Sequence, residues 1–341
     1  MIEAKSFVES IGSALNGMVQ GLGQQHADSF EACSRRLLNS MALGEKFDRQ
    51  RNVVARGRRS DRRFVGARVV ITGAGSGIGR CMAEEIAAEG GRVALWGWHK
   101  TNIQEVADKL NEQYGTANHP IAFPFRVDVS QAPAVNRTAK RTIAALGGVN
   151  VVINNAGIIS GKPFKELDDR SVRQTFGVNG MAMFWVTKAF LNELEKHRRA
   201  YIVNVASIAG FVSVAGQTDY SASKCAAVGF TNALRAELKH EHASVKTLLV
   251  CPYYIDTGMF SGVEAGLLRQ AMHMLSTETV AHSIVNAIAK GKERLFIPKI
   301  GELATLFNAM PVSLADRLLE VMHANNAMTH FVGKRETQQR E

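Results

Sequence analysis

Cysteine and proline are scarce in this 341-residue chain, with four and seven copies, and Cys33, Cys81, Cys225 and Cys251 stand far apart with no C-x-x-C pair. That spacing supports neither a zinc ribbon nor a disulfide scaffold, so a reducing compartment is expected. A bilayer crossing needs about 20 mostly apolar residues. One long uncharged run, Ala200 to Thr218, is broken by Asn204, Ser207, Ser213 and Gln217 and reads as a buried strand followed by a loop. At the amino terminus no basic region leads into an apolar core and a small-residue cleavage site, so no targeting signal is read and a cytoplasmic location is expected. The composition, 46% hydrophobic and 21% charged, excludes disorder throughout and fits one large core with appendages.

The net charge of +10 is unevenly spread: residues 45–68 hold nine Lys/Arg against three acids. No aromatic or groove-reading pattern accompanies them, so a solvated linker over 45–64 is expected, and nucleic-acid binding is not. Before it, Phe7, Val8, Ile11, Leu15, Met18, Val19 and Leu22, then Phe30, Cys33, Leu37, Leu38 and Met41, recur at helical spacing and predict an amphipathic extension over 1–44. Its apolar faces suit packing on the main domain or a second subunit; the weakly cationic polar face makes peripheral membrane contact the lesser alternative.

From Ala67 onward strands and helices alternate. Ala67–Thr72, Arg92–Trp96, Ile121–Val127, Val149–Asn154, Tyr201–Ala206, Val245–Cys251 and Arg294–Ile297 read as strands. Between them fall helical stretches, including one long helix over Ser171–Lys196 and another over Asp219–His240. Parallel neighbours require right-handed crossovers, so this order predicts an α/β, Rossmann-type doubly wound parallel sheet over 65–300. A carboxy-terminal helical tail over 301–341 follows, with two amphipathic segments divided by Pro311.

The first strand hands over to a helix through Thr72-Gly73-Ala74-Gly75-Ser76-Gly77-Ile78-Gly79. Glycines there permit a tight turn and close backbone approach, and the helix amides with their dipole favour a pyrophosphate. Asp128 ends the third strand and Asn154-Asn155-Ala156-Gly157 ends the fourth, on the side where open α/β sheets bind ligands, here an adenosine and its ribose. Tyr220 and Lys224 lie four apart on one helix, so the ammonium can sit beneath the phenol and favour its anion. Moving a tyrosine from about 10 to about 7 asks for roughly 4 kcal/mol, available from the lysine together with an oxidised nicotinamide in a partly dry site.

Taken in order, Thr72–Gly79, Asn154–Gly157, Asn179, Ser207 and Tyr220-Ser221-Ala222-Ser223-Lys224 resemble the classical short-chain dehydrogenase/reductase family over about residues 65–300. Cys251-Pro252-Tyr253-Tyr254-Ile255-Asp256-Thr257-Gly258 and the tail Ala327–Gly333 resemble its retinol dehydrogenase and 17β-hydroxysteroid dehydrogenase-like branch. The resemblance implies that Tyr220 exchanges a proton with the substrate oxygen, Lys224 lowers its pKa and holds the nicotinamide ribose, Ser207 bonds the substrate oxygen, and Asn179 anchors a relay water. It implies cofactor contacts at Gly73, Gly75, Ser76, Gly77, Ile78, Gly79, Gly97, Trp98, His99, Asp128, Val129, Asn155, Ala156, Gly157, Tyr220, Lys224 and Pro252, with Ile255 and Thr257 against the carboxamide, and no metal.

Where NAD-preferring relatives carry an acid after the second strand this chain has Gly97, followed by Trp98, His99 and Lys100. NADP(H) is therefore favoured with NAD(H) as the alternative, and Gly97→Asp is expected to turn the preference toward NAD(H). The implied substrate is a lipophilic small molecule, a retinol, steroid or long-chain alcohol or its aldehyde or ketone, with Phe211, Val212, Val214, Met259, Phe260, Leu267 and Leu268 in flanking segments. A homodimer or homotetramer through the two long helices is implied as well. The rival reading is a catalytically silent member that keeps the fold as a scaffold, which would more typically have lost Tyr220 or Lys224.

Overall fold

A computed structural model describes residues 63–260, 262–263 and 274–332. The helices expected within 1–44, the basic stretch up to Arg62, Leu267, Leu268 and Gly333 lie outside the described residues.

Seven strands form one sheet: β1 (Arg68–Thr72), β2 (Arg92–Gly97), β3 (Ala122–Arg126), β4 (Val151–Asn154), β5 (Ala200–Val205), β6 (Val245–Pro252) and β7 (Arg294–Ile297). Every pairing is parallel and the order is β3-β2-β1-β4-β5-β6-β7, the doubly wound arrangement the sequence pattern predicts. Such strands are buried on both faces, which explains the apolar runs Val69–Ile71 in β1, Val151–Ile153 in β4 and Ala200–Val203 in β5.

Alternation within each strand sorts side chains between two layers. Val69, Ile71, Val93, Leu95, Val151 and Ile153 face a layer built by α1 (Gly77–Ala88), α2 (Lys100–Tyr114) and α7 (Thr277–Ala289). Val70, Ala94, Trp96 and Val152 face the opposite layer, where α3 (Ala132–Leu146), α5 (Ala182–Leu194) and α6 (Thr218–His240) contribute Val135, Phe190, Leu194 and Leu234. Trp96 is fully buried, and its indole donates to Thr142 Oγ1 at 2.9 Å, meeting the need of a buried polar group for a partner.

One predicted element differs. The long helix over Ser171–Lys196 is α4 (Asp169–Phe176), a π-helical turn at Gly177–Met181, and α5. Wide π turns interrupt helices mostly at functional sites, and this one carries Asn179. Beyond β7, residues Lys299–Ala309 form a 3₁₀ stretch and α8 (Val312–Val321) follows Pro311, as the two amphipathic segments require. Among the described residues no helix is long and apolar enough to cross a membrane.

Candidate active site

The order of strands reverses between β1 and β4, and a crevice at the carboxyl ends of the strands follows from that reversal. At β1 the chain turns through Gly73 (φ 68°) and Gly77 (φ 54°), left-handed conformations that glycine adopts without strain. A β-carbon at Gly79 would overlap the Gly73 carbonyl, so helix and turn approach this closely only because residue 79 is glycine. Ser76 precedes α1 without a side-chain cap, which leaves the first amides of the helix facing the crevice.

Thr72 ties this turn to β4. Its hydroxyl accepts from the amides of Asn155 (2.9 Å) and Ala156 (3.0 Å), and Asn155 Nδ2 donates to the Thr72 carbonyl at 2.9 Å. The side chain of Asn155 thereby braces the glycine turn. Asn154 donates to Asn204 on β5 at 2.8 Å, and Asn204 donates to Thr231 on α6 at 3.0 Å. Asp128 caps its own loop, accepting from the amide (3.0 Å) and hydroxyl (2.7 Å) of Ser130, while the adjacent Val129 is buried.

At the end of β2, a β-carbon on Gly97 would lie 2.6 Å from Ile103 Cγ2. Packing against α2 therefore favours glycine here, and Gly97→Asp would disturb α2 besides altering the charge at this turn, which makes it a poor probe of cofactor choice. The register pairs Gly97 with Arg126 on β3, whose guanidinium stands 5.7 Å from the centroid of the exposed Trp98 ring. Arg126 was missed in the sequence because only the pairing of β2 with β3 places it beside the β2 turn.

Ser207, Tyr220 and Lys224 meet on the α6 side of the crevice. Ser207 follows β5 and caps a short 3₁₀ turn by accepting from the Ala209 amide at 3.1 Å. Lys224 Nζ donates to the Val205 carbonyl at 2.9 Å and stands 5.6 Å from the centroid of the Tyr220 ring. Asn179 accepts from the Ile158 amide (2.8 Å) and donates to the Ile158 carbonyl and Ser223 Oγ, both at 2.9 Å. A β-carbon at Gly157 would lie 3.5 Å from both Asn179 Oδ1 and Lys224 Nζ, so Gly157 is where the two converge. Thr257, after β6, approaches the glycine turn from the other side: a β-carbon at Gly77 would be 3.3 Å from its Cγ2. Ile255, two residues earlier, is buried in the core layer beneath α1 and α7.

The electrostatics depart from the simple expectation. Burial pushes the Tyr220 phenol well above the ordinary tyrosine range; the facing Ser207 hydroxyl opposes this and neighbouring Tyr254 adds to it. Burial draws Lys224 down to about 8, with Cys251 acting weakly the other way. The protein alone therefore keeps the phenol protonated, and the expected acidity calls for the oxidised nicotinamide as well as the lysine.

Of the flanking apolar residues, Phe260 stands edge-on to Tyr220 at 6.1 Å and Met259 packs in the same cluster. Phe211 instead stacks on Phe296 in a separate cluster, 5.5 Å between centroids. Gln217, Tyr254 and Met328 also gather around Tyr220, brought there by loop and tail packing that no local motif announces.

The turn, the crevice and the buried Ser-Tyr-Lys group are those of a nucleotide-binding α/β enzyme, and residues 67–267 match the short chain dehydrogenase family. The chain belongs to that family of oxidoreductases. Within it the chain lies in the retinol dehydrogenase-like branch: it is 33% identical over 269 residues to epidermal retinol dehydrogenase 2 of Homo sapiens, covering 78% of this chain and 85% of that protein. It is likewise 35% identical over 255 residues to estradiol 17-beta-dehydrogenase 11 of Mus musculus, covering 74% and 82%. Among solved structures, a short chain dehydrogenase/reductase from Burkholderia phymatum in complex with NAD superposes with a TM-score of 0.64 at 28% identity, over 72% of this chain and 94% of that one.

Proposed function

We propose that this protein is an NAD(P)-dependent oxidoreductase that interconverts a lipophilic alcohol and its aldehyde or ketone, with Tyr220 exchanging the proton. The observation that carries this reading is the convergence of Ser207, Tyr220 and Lys224, all buried, beside an uncapped helix start at the carboxyl edge of a parallel sheet. We assign 65–300 as the catalytic unit and 301–341 as its tail.

The residues present suit a dinucleotide. The uncapped amides of α1 and the glycines of the turn fit a pyrophosphate, and Thr257 and Lys224 stand where they would hold the nicotinamide end. A bound nicotinamide supplies hydride transfer and, when oxidised, a positive charge. Tyr220 holds the proton that the substrate oxygen takes up or releases, Ser207 orients that oxygen, and Lys224 is anchored by Val205 close to the phenol. A phenol kept protonated by burial is in the donor form, the state carbonyl reduction requires.

For the adenosine end, Arg126 beside Trp98, with no acid at residue 97, supports NADP(H) over NAD(H). The apolar surroundings of Tyr220 and the names of the retinol and estradiol relatives support a lipophilic substrate. The exposed Met181 and Phe184, with Phe184 stacked on Phe230 at 4.4 Å across α5 and α6, support association of two copies through these helices.

The test is nicotinamide absorbance with retinol, steroid and fatty-alcohol panels and both cofactors. Tyr220→Phe is expected to abolish turnover while leaving dinucleotide affinity within about twofold, since it removes the proton and not the groove; undiminished turnover would defeat the mechanism. In the same assay Arg126→Glu is expected to lower the NADPH-to-NADH ratio of kcat/KM by about tenfold or more, the effect of replacing a charge-assisted contact with a repulsion.

A further inference from the structure

The ring of Tyr220 is covered by the carboxy-terminal segment that follows α8. Tyr220 is only 6% exposed, in a cluster with Phe260, Val263, Ala327 and Met328. The segment is seated by specific contacts with the loops around the crevice. The amide of Ala215 donates to Asn325 Oδ1 at 3.3 Å, and buried Gln217 sends its Nε2 both to Tyr254 Oη (2.9 Å) and to Met328 Sδ (3.1 Å).

Three glycines at positive φ, one from each surrounding loop, make room for it. A β-carbon at Gly161, after β4, would overlap the Phe331 ring; one at Gly262, after β6, would overlap the His330 carbonyl. One at Gly216, before α6, would lie 2.9 Å from Met328 Cβ. The glycine turn, by contrast, is met by Thr257 and Asn155, so the tail packs on the Tyr220 cluster and not on the turn.

We propose that Met328 is a specificity-determining residue: its thioether forms the wall that a lipophilic substrate displaces to bring its oxygen to Tyr220. This rests on the reading of Tyr220 as the proton-exchanging group. Methionine is unbranched and polarizable, suited to repacking around apolar ligands of different shape, and the Gln217 amide returns it to one place when no ligand is present.

The experiment compares kcat/KM for retinol and 1-octanol in full-length wild type, Met328→Ala, Met328→Trp and Gly262→Ala, the last dislodging the tail through His330 without touching Tyr220. Met328→Ala and Gly262→Ala are expected to raise the retinol-to-octanol ratio by about tenfold and Met328→Trp to lower it by as much, the scale at which changed apolar contacts discriminate substrates. Ratios within twofold of wild type in all three overturn the proposal. If wild type turns over no member of the retinol, steroid and fatty-alcohol panels with either cofactor, the functional reading fails instead, and Met328 is then judged by ligand contact alone. Retinol affinity, read from the fluorescence of retinol itself, should rise in Met328→Ala and fall in Met328→Trp, and affinities equal to wild type in both overturn the proposal.

Discussion

At Lys224 an ammonium gives up its hydration for a hydrogen bond to the Val205 carbonyl, and burial draws its pKa to about 8 from an ordinary 10.5. The unfolded chain carries an ordinary lysine, so between about pH 8 and 10.5 it holds more protons than the folded one, and this group makes folding more favourable as pH rises through that window. Lys224→Met removes the cost. The stability of the variant relative to wild type is therefore expected to fall by about 2 to 3 kcal/mol between pH 7 and pH 10. Denaturant titrations at both pH values measure this directly, since lost packing or hydrogen bonding contributes equally at each; a difference that does not move with pH would show that the amine is hydrated. Tyr220 acts oppositely and higher, its raised pKa favouring the fold below about 10 and losing that contribution above it.

Among the elements, the junction of β1 with α1 does most to place the site. Thr72 accepts two amides from the β4 turn, and Gly79 lies against the Gly73 carbonyl with no room for a methyl group. Gly79→Ala is expected to push α1 off the sheet, costing about 1 to 3 kcal/mol of stability as overpacking does, with a larger proportional loss of dinucleotide affinity; calorimetric titration beside thermal melts separates the two. A melting temperature and an affinity equal to those of wild type would show that the turn has slack. The Gly-rich pattern and the strand periodicity were legible in the sequence because both follow from local rules of turn and pleat. The π turn at Gly177–Met181 was not, since its extra residue per turn is set by how Asn179 clamps Ile158 and Ser223.

On the scale of the whole molecule, the π turn and α5 present Met181 and Phe184, both more than two-fifths exposed. A patch of this kind suits a second copy of the chain. Phe184→Glu is expected to shift the sedimentation coefficient toward a single chain while leaving the far-UV circular dichroism unchanged; a wild type that sediments as a monomer would refute the assignment of that face.

The alternation of strands and helices, the glycine turn and the Ser-Tyr-Lys set were legible in the sequence by itself, because hydrophobic period and motif order are local properties of the chain. Tertiary structure decided the rest. Arg126 reaches the β2 turn only through strand pairing, Asn155 is taken up by Thr72, and Met328 arrives at Tyr220 from more than a hundred residues away. Burial, a property of the assembled core and not of any residue, sets the proton affinities of Tyr220 and Lys224 in directions that a pair read four apart on a helix does not announce.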